Sequence, residues 1–321
     1  MKIVEIPAGK LNARRFIEEK VEEIAQTVSD GSAITALSGG VDSSVVTVLG
    51  HRALGKKLAV WFIDNGLMRQ DEPQSVARLF KKFGIQVEIL DARSTFFDAL
   101  KGITDPEQKR EAITQTFYKR VFGELVRSSG ARHLLQGTIL TDVEETVAGI
   151  KRQHNVLEQL GIDPQEAFGY GVIEPLVQLR KDGVRKVARA LGLPETLYNR
   201  MPFPGPALAA RVVGEATPER LELARKATAI VESELRKVKA FQYMAILHED
   251  RFAGMRAGRR DFGLQVEVRC WNSVDARTAK PVWLAPPVLK KLARRITEEV
   301  PGVISVTYNI ATKPPSTIEA V

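Results

Sequence analysis

The sequence predicts an α/β fold, in which a doubly wound parallel sheet is followed by a smaller α+β domain. Short apolar runs alternate with helical stretches over the first 199 residues, a pattern typical of a parallel sheet with helices on both faces. The segment from Arg200 to Pro206 contains three prolines, which fix φ and remove backbone donors, so the alternation ends there. We therefore expect two domains, over residues 1–199 and 200–321.

The first domain begins with a helix and continues with strands. Apolar residues recur at helical spacing from Ile17 to Val28, and Asp30 with Gly31 ends the predicted helix. Short apolar runs predict four strands, over residues 33–37, 58–63, 87–90 and 133–136. Ligands of such sheets bind beyond the carboxyl ends of the strands, so the loops after the strands are where functional residues are expected.

The second domain is predicted to mix long helices with strands. A long helix is expected over residues 218–239 and a basic helix over residues 287–300. Strand-like runs cover residues 243–247, 264–271 and 303–310. This order of elements favours a small α+β domain.

Composition narrows the kind of protein. The longest apolar runs are far shorter than the roughly 20 residues that cross a bilayer, so a soluble, cytoplasmic protein without a membrane partner is expected. A single cysteine excludes an internal disulfide framework and a site built from paired thiolates. The net charge of +8 suits an enzyme whose ligands carry several phosphates. Basic residues are spread along the chain without an aromatic-studded strand, so no nucleic-acid partner is expected.

A phosphate loop is predicted directly after the first strand. Paired glycines allow close backbone approach to an anion, and the following helix directs free N–H groups at it. The alternative is a tight turn with a serine N-cap. The hydroxyl and carboxyl groups around the glycines favour the phosphate loop over this alternative. The motifs of P-loop NTPases and nicotinamide enzymes do not occur. The predicted phosphate-binding residues are Ser38, Gly39, Gly40, Val41, Asp42, Ser43 and Ser44.

The SGGVDS motif resembles the pyrophosphate-binding loop of the ATP pyrophosphatases, which split ATP between its α and β phosphates and adenylate an oxygen of a second substrate. Within that class, five further segments resemble the GMP synthetase family, in order along nearly the whole chain: residues 62–69, 137–155, 200–206, 254–269 and 313–319. The resemblance implies an adenine nucleotide alpha hydrolase-like α/β domain followed by a dimerisation domain, and hence a homodimer.

The resemblance also implies roles for residues of the first domain. Asp42, Ser43 and Lys151 match catalytic positions, and Lys151 lies in the lid that reaches the ATP phosphates. Asp142 and Glu145 match the lid carboxylates. Their spacing of three places both on one face of a helical turn, where they could hold Mg²⁺, although a solvated acidic helix start would have the same pattern.

In the second domain, the resemblance implies a purine-nucleotide site. Gln242, Arg260, Lys313 and Glu319 match its positions. The guanidinium of Arg260 suits a 5′-phosphate because its fork pairs bidentately with phosphate oxygens. Prolines beside Lys313 stiffen the tail, so an ordered tail over the ligand is favoured over a frayed terminus.

The implied reaction is ATP-dependent amination of XMP to GMP through an adenylyl-XMP intermediate, with release of AMP and pyrophosphate. Only 37 residues precede the loop, and the chain has one cysteine, so no glutamine amidotransferase domain is expected. Ammonia would come free from solution or from a separate glutamine amidotransferase subunit.

Some residues depart from the family pattern. Gln153 replaces a lid histidine, Met201 replaces a histidine or glutamine, and Ala207 replaces a glycine. Two alternatives therefore stay open. One is a diverged paralogue that adenylates and aminates another purine-like nucleotide, and the other is a non-catalytic subunit that binds ATP.

Overall fold

The first half of the chain builds a five-stranded sheet in the order β3-β2-β1-β4-β5, in which each neighbouring pair is parallel. Its strands are β1 (Ala33–Ala36), β2 (Leu58–Asp64), β3 (Glu88–Asp91), β4 (His133–Leu135) and β5 (Gly171–Ile173). The computed structural model describes residues 3–147, 170–256, 258–274 and 276–320, and gives only the backbone of residues 145–147 and 256. The predicted catalytic residue Lys151 and the departure at Gln153 lie outside the described residues.

Helices separate the strands of this sheet. Those before the proline-rich segment are α1 (Ala13–Val28), α2 (Val41–Leu54), α3 (Glu72–Lys81), α4 (Arg93–Leu100), α5 (Pro106–Gln115), α6 (Gly123–Ser129), α7 (Leu140–Val147), α8 (Lys181–Ala190) and α9 (Glu195–Tyr198). The first helix begins after Asn12, whose side chain accepts a hydrogen bond from the Arg15 N–H and caps the helix. Its buried side of Phe16, Ile24 and Val28 follows the predicted spacing.

A long antiparallel ribbon dominates the second sheet. Strands β6 (Gln242–Arg256) and β7 (Arg259–Asn272) pair from Gln242–Trp271 out to Arg256–Arg259, with an irregularity between Leu247 and Arg251. The remaining elements are α10 (Pro218–Leu235), β8 (Lys280–Pro281), α11 (Pro286–Glu299) and β9 (Val303–Tyr308). Strand β8 is antiparallel to β7, whereas β9 runs parallel to it.

The predicted fold class is confirmed, with two differences in its strands. Strand β5 was not predicted, because only Val172 and Ile173 form an apolar run there, between Gly171 and Glu174. The ribbon extends well beyond residues 243–247 and 264–271. Its outer part was not predicted, because it is rich in charged residues and lacks the apolar pattern of a buried strand. Among the described residues, no helix is both long and apolar enough to cross a membrane.

The chain forms two compact units that interleave in sequence. The first contains Met1–Asp64, Glu72–Ala92 and Thr114–Arg200, and the second contains Asn65–Asp71, Arg93–Ile113 and Met201–Val321. The main break between Arg200 and Met201 lies beside the boundary predicted from the prolines. Two early segments, however, belong to the second unit.

Side-chain contacts hold these two early segments within the second unit. Arg69 is paired with Glu232 of α10 at 2.6 Å. The ammonium of Lys109 donates to the Val212 carbonyl at 2.8 Å, and burial lowers the pKa of this lysine to about 8. A buried amine with a backbone partner indicates that the segment around Lys109 is part of the core of this unit.

Candidate functional site

The phosphate loop, Ser38 to Ser44, connects β1 to α2 at the carboxyl edge of the parallel sheet. Its serines are held by the loop itself: the Ser43 hydroxyl accepts from the Ser38 N–H at 3.2 Å and lies 3.0 Å from the Ser38 hydroxyl. The Ser44 hydroxyl donates to the Gly40 carbonyl at 2.7 Å. These bonds close the loop around the start of α2, where unpaired backbone N–H groups and the helix dipole favour an anion.

Two glycines permit close approach of chain segments at this loop. Gly39 has a φ of +76°, a conformation that side chains rarely adopt, and a Cβ there would lie 3.3 Å from a Glu72 carboxylate oxygen. Gly137 follows β4, and a Cβ on it would lie 3.1 Å from the backbone of Asp42 and of Ser43. The loops after β1 and β4 therefore meet at the point where the strand order reverses, the usual ligand site of such sheets.

Charged residues that sequence reasoning missed surround the loop. Lys181, at the start of α8, donates to the Asp42 carboxylate at 2.5 Å. The second carboxylate oxygen of Asp42 is buried and has no hydrogen-bond partner among the described residues. The only sequence signal for Lys181 is its place after an apolar stretch at a helix start, a position that many surface lysines share.

Arg200 forms a second charged contact with the loop. It is paired with the buried carboxylate of Glu72 at 2.6 Å and donates to the Gly39 carbonyl at 3.3 Å. This arginine is the last residue of the first unit and directly precedes the proline-rich segment. A buried charge pair of this kind fixes the backbone of the loop from the side of α3.

The predicted metal ligands lie on α7, beyond β4. Asp142 accepts a hydrogen bond from the Ile139 N–H at 2.9 Å, and this bond caps the start of the helix. Glu145 follows on the next turn, where the structure describes only its backbone. Nearby, burial raises the pKa of the Tyr118 hydroxyl well above its usual value, and Tyr170 and Asp142 add to the shift. In the described part of the chain, no cluster of three or more His, Cys, Asp or Glu side chains is arranged to hold a metal ion.

In the second unit, Glu319 and Gln242 lie together, as the predicted nucleotide site requires. The Glu319 carboxylate accepts from the Gln242 amide at 2.7 Å and from two nitrogens of Arg211 at 3.3 Å each. The Gln242 amide also donates to the Pro202 carbonyl at 3.1 Å. We call Pro202, Phe203, Arg211, Gln242 and Glu319 the tail cluster. Sequence reasoning missed Arg211, which follows the proline-rich segment without a motif of its own.

The other two predicted nucleotide-binding residues have partners outside the tail cluster. Lys313 donates from its ammonium to the Ala276 carbonyl at 2.8 Å, and its backbone pairs with Ala279. Arg260 lies near the turn of the ribbon, over the ring of Phe262. Trp271 of β7 pairs with Gln242 of the tail cluster, and about 35 Å of strand separates Trp271 from Arg260. Within one chain, Arg260 therefore does not reach the tail cluster.

A parallel sheet of this strand order, with a serine- and glycine-rich loop where β1 and β4 meet, defines an α/β protein of the nucleotide-binding class. Residues 12–139 match the family model described as NAD synthase, and residues 229–320 match the model described as GMP synthase C terminal domain. Curated relatives identify the family over nearly the whole length. The chain belongs to the GMP synthase family.

Three relatives illustrate this membership, and each is named as one subunit of a glutamine-hydrolyzing GMP synthase. The Pyrococcus furiosus protein is 47% identical over 308 residues, covering 95% of this chain and 96% of its own. The Archaeoglobus fulgidus protein is 46% identical, with 96% and 99% covered, and the Methanocaldococcus jannaschii protein is 44% identical, with 95% and 98% covered. A solved NH3-dependent NAD synthetase from Campylobacter jejuni has a TM-score of 0.47 at 15% identity, covering 59% of this chain and 78% of that chain. The resemblance seen in the motifs is confirmed.

Proposed function

We propose that this chain is a ligase that aminates XMP to GMP with ATP, through an adenylyl-XMP intermediate, and releases AMP and pyrophosphate. The observation that carries the proposal is the complete phosphate loop, with Asp42 paired to Lys181, in a chain of the GMP synthase family. ATP binds with its phosphates at this loop, since backbone N–H groups at the start of α2 and the serine hydroxyls are donors suited to phosphate oxygens.

In this reaction, the loop holds the departing pyrophosphate. Ser43 is bonded to Ser38 and to Gly40, so its hydroxyl is already oriented when the anion arrives. The ammonium of Lys181, beside Asp42, adds positive charge where negative charge develops on the leaving group. Lys151 of the lid adds a second cation to the same phosphates, as the family resemblance implies.

The residues at the loop fit a magnesium ion. One carboxylate oxygen of Asp42 is buried without a hydrogen-bond partner among the described residues, a costly state that a cation would relieve. Mg²⁺ is commonly held by one or two carboxylates together with substrate phosphates, so Asp42 with Asp142 and Glu145 of α7 would hold it. When bound, the ion neutralises charge on the pyrophosphate.

The purine nucleotide binds in the second unit, at Gln242, Lys313 and Glu319. The Gln242 amide and the Glu319 carboxylate together offer a donor and acceptors to the polar edges of a nucleotide. Lys313 supplies a cation beside the stiff tail. Its ammonium donates to the Ala276 carbonyl, and a phosphate could replace this carbonyl as the acceptor.

The chain works as a homodimer with a separate ammonia source. Met255 and Phe262 expose large apolar side chains on one face of the ribbon, with Met255 71% exposed, and a second copy would cover them. Arg260 lies among these residues, so in a dimer the guanidinium of one copy could bind the phosphate of the nucleotide held by the other copy. The relatives are each named as one subunit of a glutamine-hydrolyzing synthase, so a separate subunit hydrolyses glutamine and supplies the ammonia.

An amination assay tests the proposal. The pure chain is supplied with ATP, Mg²⁺, ammonium and a panel of purine nucleotides, and the products are identified by mass. We expect GMP from XMP with ammonium and none with glutamine. Glutamine-dependent synthesis by the pure chain would contradict the separate subunit. Amination of a different nucleotide would indicate a paralogue, and the absence of pyrophosphate release with every nucleotide would indicate a non-catalytic ATP-binding subunit.

A further inference from the structure

Arg211 is a buried guanidinium to which neither the motifs nor the proposed chemistry assign a role. Its side chain is 1% exposed, at the end of the short 3-10 helix Ala207–Arg211 that follows the proline-rich segment. A buried arginine is costly unless a charge partner is present. The partner here is Glu319, which is two residues from the end of the chain.

The geometry of the pair is a two-point contact. Nε of Arg211 lies 3.3 Å from one oxygen of Glu319, and Nη2 lies 3.3 Å from the other. The same guanidinium lies 4.7 Å from the centre of the Phe203 ring, and Arg69 lies 3.8 Å from that ring. Phe203 therefore packs between two guanidinium groups, which restricts the orientation of Arg211.

Other residues hold the backbone of the tail. Arg269 donates to the Thr317 carbonyl at 2.9 Å, and the indole N–H of Trp271 donates to the Ile318 carbonyl at 3.2 Å. Ile318 packs in the hydrophobic cluster around Trp271. These contacts hold the backbone of the tail, whereas Arg211 contacts the side chain of Glu319.

We propose that Arg211 is a positioning residue for the purine nucleotide, which holds the Glu319 carboxylate in its binding orientation and neutralises its charge. The inference rests on the proposed function. A nucleoside monophosphate is an anion, so an unpaired carboxylate in its site would repel it. Paired with Arg211, Glu319 presents acceptor oxygens to the nucleotide without a net negative charge.

The proposal requires that Arg211 act through Glu319, which a double-mutant cycle measures. The full-length variants Arg211→Met, Glu319→Gln and the double variant are titrated with XMP and, separately, with a non-hydrolysable ATP analogue. We expect Arg211→Met to weaken XMP binding about ten- to a hundredfold, because it leaves the partly buried charge of Glu319 without its cation. The double variant should bind XMP no more weakly than Arg211→Met alone, since Glu319→Gln removes the unpaired charge. Binding of the ATP analogue should change less than about twofold.

Two further variants separate positioning from stability. Arg295→Met breaks ion pairs with Glu234 and Glu299 in the same unit, away from the tail, so it should lower the melting temperature and leave XMP affinity unchanged. Arg211→Lys keeps the charge without the fork, and it should lose less XMP affinity than Arg211→Met. Should Arg211→Met not fold, the cycle is run with Arg211→Lys.

The proposal would be overturned if the loss of XMP affinity in the double variant equalled the product of the losses in Arg211→Met and Glu319→Gln. Wild-type XMP affinity in a folded Arg211 variant would overturn it as well. Failure of the wild-type chain to bind XMP would instead contradict the proposed function.

Discussion

The phosphate loop and the tail cluster are built in opposite ways. Seven consecutive residues form the loop, and hydrogen bonds within it, such as that from Ser44 to Gly40, keep its shape. The tail cluster joins Arg211, Gln242 and Glu319, which lie far apart in sequence and meet only when β6 and the tail come together. A local site of this kind is encoded in a motif, whereas a non-local one depends on the whole unit being folded.

The largest expected effect is at the loop. Asp42→Ala and Ser43→Ala should lower pyrophosphate release by about a thousandfold, because they remove groups that handle the reacting phosphates. The fold should stay intact, since the loop bonds are few and partly exposed. Release is followed in the presence of XMP and ammonium, with circular dichroism as the control. Near-normal turnover in either variant would contradict the assignment of the loop.

The ribbon gives the next largest effect. Arg260→Ala should weaken XMP binding about ten- to a hundredfold while ATP binding changes little, because a bidentate phosphate contact is lost. Lys313→Ala should behave similarly. Titration with XMP and with an ATP analogue measures both. Equal losses for the two ligands would indicate unfolding. Unchanged XMP affinity would show that Arg260 contacts no nucleotide in any subunit.

Lys181 tests whether the loop depends on residues outside its motif. Lys181→Met should lower the rate of pyrophosphate release about tenfold, a smaller effect than at Asp42 because the ammonium is about half exposed and screened by water. Lys181→Arg should restore part of the rate. A rate unchanged by Lys181→Met would mean that the local motif is sufficient by itself.

Ala207 gives the smallest effect, on the side of the tail cluster. It has a φ of +54°, a left-handed conformation that alanine adopts at a cost, at the position where the family has glycine. Ala207→Gly should raise the free energy of unfolding by about 1 kcal/mol, less the added entropy of the unfolded chain. Denaturant titration measures the change, and Ala209→Gly nearby is the control that should destabilise. A destabilised Ala207→Gly variant would contradict this reading of the backbone.

The sequence allowed prediction of the features that depend on neighbours along the chain. The helix at Ile17 to Val28, the first four strands of the parallel sheet and the loop at Ser38 follow from spacing and from glycine chemistry. The family resemblance placed Gln242 and Glu319 in one site, which residue spacing alone would not have done.

The rest depended on pairings that no local pattern specifies. Lys181 and Arg200 contact the loop only because α8 and α3 pack beside it, and each is an ordinary charged residue in the sequence. Strand β5 has an apolar run of only two residues, and the outer ribbon is rich in charged residues without the apolar alternation of a buried strand. Arg260 was assigned to the same site as Glu319, and only the register of β6 with β7 reveals the length of strand between them.

The interleaving of the two units limits how this protein can be recombined with its relatives. A gene fragment that begins at residue 201 would encode α10 without Arg69, the partner of Glu232, and the core near Val212 without Lys109. Such a fragment also lacks residues 65–71 and 93–113 as a whole, which belong to the same compact unit in the intact chain. A functional chimera that exchanges the first unit must therefore take its three segments from the same parent. A single crossover at the proline-rich segment would give a mismatched core in the second unit.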